Sequence, residues 1–342
     1  MTFKKYFSML FVVLAVTSSL SSCNAKNSND GKPEDGKNHL GNNSEKLVPL
    51  KTLVAQSEVT IKVNDGPYIF KQADQLQALW LCDGNIEQQT IQQKLSSGIE
   101  SNILFERCNT QVELDRIEFA EQSILTYQGN FRVAATSDFH GQYDVMNQLL
   151  KNNHVIDDNN HWSFGNGHFV ITGDVFDRGD KVTEILWFLY RLEQEAEIAG
   201  GKLHLLLGNH EVMVLNGDLR YLHPKYVEVA EKLNQPFEKL YAKGTVLGDW
   251  LRTKPVLVKI NNMLFAHGGF HPSLVQEKRS LNEINQVFKT NLIKSELPQP
   301  REGWGEYLHK SDGPIWYRGY FKDNGASSQE IDLLLKHFDI NI

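Results

Sequence analysis

The chain has 342 residues, 41% hydrophobic and 23% charged, which is the composition of a folded protein long enough for one large domain or a domain with an appendage, and it excludes a disordered chain. Its net charge of -7 is interspersed, with no lysine or arginine tract, so nucleic acid is not an expected partner.

At the amino terminus, Lys4 and Lys5 precede an apolar run too short to cross a bilayer, and small residues follow. This is the pattern of an export signal, read over residues 1–22. Its end, Leu20-Ser21-Ser22-Cys23, resembles the bacterial lipoprotein box. That implies a lipidated Cys23 anchoring the protein to a membrane of a Gram-negative cell envelope, facing the periplasm. Asn24 after Cys23 leans toward the outer membrane; an ordinary signal cut nearby would instead release a periplasmic protein. Cys82 and Cys108 then remain. In an oxidising compartment they either pair or stay separate thiols, because geometry and not count decides. Residues 23–46, rich in Asn, Gly, Asp and Lys, cannot bury a core and read as a flexible tether.

Residues 47–128 combine an alternating piece, "VTIKV", with "ADQLQALWLCDGNIEQQTIQQKL", whose apolar spacing is closer to helical. A small β-rich appendage without a catalytic constellation is expected there. From residue 129 the chain changes character. "FRVAATSDFHGQYD", "HFVITGDVFDRG" and "KLHLLLGNHEVM" are strand signals ending in polar residues, and "PVLVKINNMLFAHGGFHP" reads as two strands joined at Asn261-Asn262. Between them, "KVTEILWFLYRLEQEAEIAGG" places Val182, Ile185, Leu186, Leu189 and Leu192 on one helical stripe, with Gly200 set to end the helix. Strands alternating with helices predict a layered α/β domain over residues 129–342.

In such sheets functional groups sit beyond the carboxyl ends of the strands. One Asp after a strand is usually a helix cap, but four strand ends delivering Asp, His or Asn point to a site. Carboxylate, imidazole and amide oxygen together suit divalent manganese, iron or zinc better than calcium. Asp174 is placed to be shared between two ions, which at about 3.5 to 4 Å apart clamp a phosphate ester and sharpen a bridging water into hydroxide. The expected reaction is hydrolysis by in-line attack.

"SDFHG", "GDVFDRG", "GNHE" and "HGG" occur in the order and approximate spacing of the calcineurin-like metallophosphoesterases of the phosphoprotein phosphatase family, over roughly Phe131 to Phe321. "GDLRYLHPKY" and "GPIWYRGYF" are similar to the Shewanella-like branch, which has protein tyrosine phosphatases among its members. The resemblance implies a metallophosphoesterase sandwich of mixed β-sheets flanked by helices. It implies that Asp138, His140 and Asp174 hold one divalent metal and Asp174, Asn209 and His267 the other. His210 would be the general acid oriented by Asp177, as a histidine with a fixed tautomer can be. Arg178 and Arg318 would grip phosphate oxygens with their planar forks.

The implied activity is hydrolysis of phosphomonoesters on phosphoproteins or phosphopeptides, phosphotyrosine above all, with phosphoserine and phosphothreonine as further substrates. Hydrolysis of nucleotides or dinucleoside polyphosphates is the alternative within the enzyme class. The family normally adds a strand ending in a Gly-His-Thr-like turn whose histidine completes the second metal site, whereas here "LLLKHFDINI" ends at Ile342. A catalytic domain incomplete at its carboxyl end is therefore expected, and with it a third reading, a lipoprotein that binds phosphate ligands without turning them over. His223, His271, His309 and His337 follow no strand signal and are expected to be structural. His204 is expected on a sheet face or in the core, and Arg220 at the substrate entrance or in helix packing.

Overall fold

A computed structural model describes residues 62–93, 102–120, 124–322 and 325–340. The leader at 1–22, the lipidation site Cys23, the tether at 23–46 and the stretch 47–61 lie outside the described residues.

β1 (Asp65–Gln72), β2 (Gln75–Cys82) and β3 (Asn85–Gln92) form an antiparallel meander. The helical spacing read over the Gln-rich piece is corrected here, because β2 and β3 are a hairpin. Asp83 and Gly84, with φ of 49° and 75°, supply the left-handed backbone that a two-residue hairpin turn demands and that Asp-Gly adopts readily. Leu76, Ala78 and Trp80 alternate into the core, while Leu79 and Leu81 occupy the opposite face and blur the period of two. β4 (Ile103–Arg107) and β5 (Thr110–Leu114) make a second hairpin. Cys82 and Cys108 are joined by a disulfide at a Cα–Cα separation of 5.7 Å, inside the usual span.

The remaining elements are β6 (Thr126–Tyr127), β7 (Val133–Thr136), α1 (Tyr143–Asn152), β8 (His168–Ile171), α2 (Val182–Ile198), β9 (Lys202–Leu205), α3 (Asn209–Leu215), α4 (Pro224–Lys232), α5 (Val246–Arg252), β10 (Val258–Ile260), β11 (Met263–Phe265), α6 (Ser273–Gln276), α7 (Leu281–Thr290), α8 (Gly303–Tyr307) and α9 (Ser328–Phe338). β7, β8 and β9 are parallel neighbours in that order. A second sheet runs β11-β10-β6, with β6 parallel and β11 antiparallel to β10. Val170, Leu206, Val258 and Ile260 are buried together with Tyr127, Phe131 and Phe265, so the two sheets face each other across an apolar layer. The layered α/β sandwich expected from the sequence is therefore present.

α2 packs on β9, and its stripe of Val182, Ile185, Leu186, Leu189 and Leu192 is fully buried as expected; Gly200 follows at φ 76°. The helix is also buried on its far side, through Trp187, Phe188 and Tyr190. Different neighbours cover it: Trp187 Nε1 donates to the Pro67 carbonyl of β1 at 2.9 Å, Phe188 meets Tyr143 of α1 at 5.8 Å between ring centroids, and Tyr190 Oη donates to the carbonyl of Arg116, just after β5, at 2.8 Å. The amino-terminal strands and the sheet body form one compact unit. Because β7, β8 and β9 are parallel, the loops after them emerge at one edge, and this edge positions the site.

Candidate metal centre

Five of the candidate residues have left-handed backbone: Asp138 (φ 58°), His140 (44°), Asp174 (59°), Asp177 (69°) and Arg178 (66°). Such conformations cost energy in ordinary side-chain-bearing residues and persist where the surroundings hold them, which is typical of functional loops. Here the holding groups can be named. Asp138 N and His140 N donate to the Gly173 and Asp174 carbonyls at 3.1 and 3.0 Å, stitching the loop after β7 to the loop after β8. Gly173 has φ 110°, and a Cβ there would lie 2.3 Å from Gly208 N, so only glycine allows the loops after β8 and β9 to close on each other.

The third stitch is Glu211, in the first turn of α3. Its Oε2 accepts from Gly208 N at 2.7 Å and Asp174 N at 2.8 Å; its Oε1 accepts from Val175 N at 2.7 Å and Phe176 N at 3.3 Å. A carboxylate is the side chain with the acceptor capacity for four such donors. Burial, reinforced by the neighbouring Asp174 charge, raises the Glu211 pKa, against which the main-chain N–H groups act. The glutamate stands within "GNHE", and nothing local in the sequence signals this task.

Asp174 is the hub. Its Oδ1 accepts from His210 N at 3.0 Å, which leaves Oδ2 facing three imidazoles: His267 Nε2 at 3.3 Å, His140 Nε2 at 3.7 Å and His210 Nε2 at 3.9 Å. Asp138 Oδ1 lies 3.6 Å from His140 Nε2, and Asn209 Oδ1 lies 2.9 Å from His267 Nε2. Two overlapping triads thus have ligand atoms within 4.8 Å of one another: His140, Asp174 and His210, and Asp138, Asp174 and His267. Asp174 belongs to both. His140 lies beside Asp138 and Asp174, and His267 beside Asp174 and Asn209, while His210 reaches the cluster next to His140.

His140 tests whether a cation fits. Its Nδ1–H donates to the Phe176 carbonyl at 2.7 Å, which puts the lone pair on Nε2. Among the described residues, Nε2 is buried without a hydrogen-bond partner and faces two carboxylate oxygens at distances too long for a hydrogen bond. Three electron-rich atoms converging on one space are satisfied by a cation, and carboxylate with imidazole is the donor set of a divalent metal of intermediate hardness. The protonation equilibria express the same need. Burial opposes the His140 charge, yet the Asp138 carboxylate, the Phe176 carbonyl and Asp174 raise its pKa. Burial likewise opposes the charge on His267, and Asp174 raises its pKa. Asp138 and Asp174 are held below the usual carboxylate range, against burial, by His140 and Ser137 on one and by His267 and His210 on the other.

His210 Nδ1 and Asp177 Oδ2 are 2.6 Å apart with both side chains buried, so the carboxylate fixes the ring with Nε2 turned to the cluster. Arg178 Nη2 lies 3.4 Å from His210 Nε2, and Arg318 Nη2 lies 3.4 Å from His267 Nε2, so a guanidinium stands beside each of these histidines. Tyr221, whose role the sequence did not signal, holds its half-exposed ring 5.3 Å from that of His210.

The other polar candidates sit elsewhere. His223 Nδ1 accepts from Lys225 N at the start of α4, His271 contacts Ser273, His309 stacks on Phe288, and His337 meets the Arg279 carbonyl. His204 is buried on β9, its Nε2 2.9 Å from His168 Nδ1. Arg220 pairs with Asp218 at the surface.

Residues 131–341 match the calcineurin-like phosphoesterase family. A Shewanella-like protein phosphatase 1 from Plasmodium berghei is 31% identical over 190 residues, covering 55% of this chain and 51% of that protein. A symmetrical bis(5'-nucleosyl)-tetraphosphatase from Neisseria meningitidis is 31% identical over 143 residues, 40% of this chain and 43% of that protein. The chain spans about half the length, or less, of these curated relatives. The crystal structure of a cold-active protein-tyrosine phosphatase from a psychrophilic Shewanella species matches with a TM-score of 0.74 at 39% identity, covering 81% of this chain and 82% of that one. With the Asp174 cluster at the strand edge and these matches, the chain belongs to the calcineurin-like phosphoesterase family, in its Shewanella-like branch.

Proposed function

We propose that the protein is a metal-dependent phosphatase that hydrolyses phosphomonoesters on proteins or peptides, phosphotyrosine foremost. The observation that carries this reading is the buried His140 Nε2, without a hydrogen-bond partner among the described residues and facing Asp138 and Asp174, with one guanidinium beside His210 and another beside His267. Asp138, His140, Asp174, Asn209 and His267 would hold two divalent ions, of manganese, iron or zinc. Bound there, such ions supply positive charge for the phosphoryl oxygens and lower the pKa of water.

The chain's own residues do the rest. His210 Nε2 carries the proton that goes to the leaving oxygen, and Asp177 keeps Nδ1 protonated and the ring aimed. Arg178 and Arg318 bind the non-bridging phosphate oxygens, for which their planar donors are suited. The name borne by the Shewanella relative supports phosphotyrosine as substrate, and that of the Neisseria relative keeps dinucleoside polyphosphates as the competing class. The Cys82–Cys108 disulfide supports an exported protein, and we extend the proposal to anchoring through lipidated Cys23.

The test compares turnover of a phosphotyrosine peptide and of diadenosine tetraphosphate with added Mn²⁺, for wild type and His210→Asn. Peptide turnover that dominates, needs the metal and falls at least about 100-fold in the variant supports the reading. Turnover that survives a chelator or the substitution overturns the mechanism, and preference for the dinucleotide overturns the substrate class.

A further inference from the structure

The amino-terminal sheet reaches the catalytic edge through one buried charge. Asp65, the first residue of β1, has its carboxylate fully buried. Its Oδ1 meets Lys225 Nζ at 2.9 Å, and its Oδ2 accepts from Tyr68 Oη and, at 3.2 Å, from Thr183 Oγ1. Lys225 Nζ in turn donates to the Asp180 carbonyl at 2.6 Å and pairs with Glu184 at 3.2 Å. The adjacent Tyr226 hydroxyl donates to the same carbonyl at 3.1 Å and accepts from Val182 N at 2.6 Å and Thr183 N at 3.3 Å. The segment between Asp177 and α2 is therefore gripped from outside at Asp180 and, two residues earlier, at Arg178 N, which donates to the Tyr221 carbonyl at 3.0 Å.

Arg178 has nothing comparable on its side chain. Among the described residues its guanidinium has one polar neighbour within hydrogen-bonding range, His210 Nε2 at 3.4 Å, and the residue is exposed. Its direction is thus set by its main chain, which holds a left-handed φ of 66°. A buried ion pair adds little net stability compared with apolar packing, but it admits few geometries. We propose that Asp65 is a positioning residue: through Lys225 and the Asp180 carbonyl it holds the loop that aims Arg178 at phosphate, so that the amino-terminal sheet is part of the catalytic apparatus. This rests on the reading of Arg178 as a phosphate-binding group.

The ordinary protonation states support the link. Burial works against the Lys225 ammonium, but Asp65 and Glu184 more than offset it and raise its pKa, so the cation persists in its enclosure. Asp65→Asn is nearly isosteric and leaves Lys225 its bonds to Glu184 and Asp180; Lys225→Met serves as the second variant, removing the ammonium from the other side. Breaking a buried ion pair costs stability, so folding of each variant is checked by circular dichroism.

Both are placed in wild-type and Arg178→Ala backgrounds of the full chain, with kcat and KM for p-nitrophenyl phosphate and amide exchange measured together. Loss of positioning raises KM about 10-fold with kcat changed less than about 3-fold, and speeds exchange at residues 178–183 while the core strands keep their protection. In the Arg178→Ala background the same changes alter KM less than about 2-fold, because nothing remains to aim. KM effects that multiply with Arg178→Ala, or exchange in 178–183 that matches wild type, overturn the proposal. If the wild-type protein does not turn over aryl phosphate, the phosphatase reading fails by itself and exchange alone decides whether Asp65 holds the loop.

Discussion

Glu211→Gln isolates the device that holds the cluster together. The carboxylate accepts four main-chain N–H groups, two on each oxygen, from three consecutive residues after β8 and from Gly208 before α3. Glutamine keeps one acceptor oxygen and turns the other into a donor, so two of these bonds are lost and two buried N–H groups face an N–H₂. At about 1.5 to 3 kcal/mol for a hydrogen bond to a charged acceptor, the loss is about 3 to 6 kcal/mol. Part of this is offset because the substitution removes a buried charge beside Asp174, the same burial and neighbour that raise the Glu211 pKa. The net expectation is a destabilisation of about 3 kcal/mol, read as a lower urea midpoint, with faster amide exchange at Asp174 and Val175. A loss below about 1 kcal/mol with those amides still protected would show instead that the loops after β8 and β9 close without this glutamate.

Gly173→Ala should cost at least about 3 kcal/mol or prevent folding, since φ is 110° and the added Cβ meets Gly208 N at 2.3 Å; soluble protein with wild-type stability would contradict the close approach. The buried pair His168 and His204 predicts a pH dependence. Burial and then the His168 charge push His204 down from 6.5 to about 2, so the unfolded chain takes up the proton first. Stability is then unaffected above about pH 6.5 and declines as pH falls through the window below it, by about 2 kcal/mol at pH 5. His204→Leu should flatten that slope between pH 7.5 and 5, and a slope equal to wild type would assign the decline to other groups.

The catalytic edge was legible because its signal is local. An apolar run that ends in Asp, His or Asn within a few residues needs no distant partner to be noticed, and Asp138, His140, Asp174, Asn209, His210 and His267 all follow such runs. What the sequence hid is long-range. Glu211 bonds to amides at 174–176, some 35 to 37 positions earlier, and Asp65 meets Lys225 across 160 positions; no periodicity reports either. The hairpin of β2 and β3 has a spacing closer to helical because both faces of β2 carry leucine, so tertiary burial on two sides masks the alternation. The Asp-Gly pair at 83–84 was the local signal that would have settled it.

Asp174 organises the proposed divalent-metal site. Metal content measured by mass spectrometry after equilibration with Mn²⁺ and gel filtration tests it most directly, in wild type and in Asp174→Asn with folding checked by circular dichroism. About two ions per chain are expected in wild type and fewer than one in the variant, because the carboxylate that faces His140, His210 and His267 is lost. Equal metal content in the two folded proteins, or none retained in either, would contradict it.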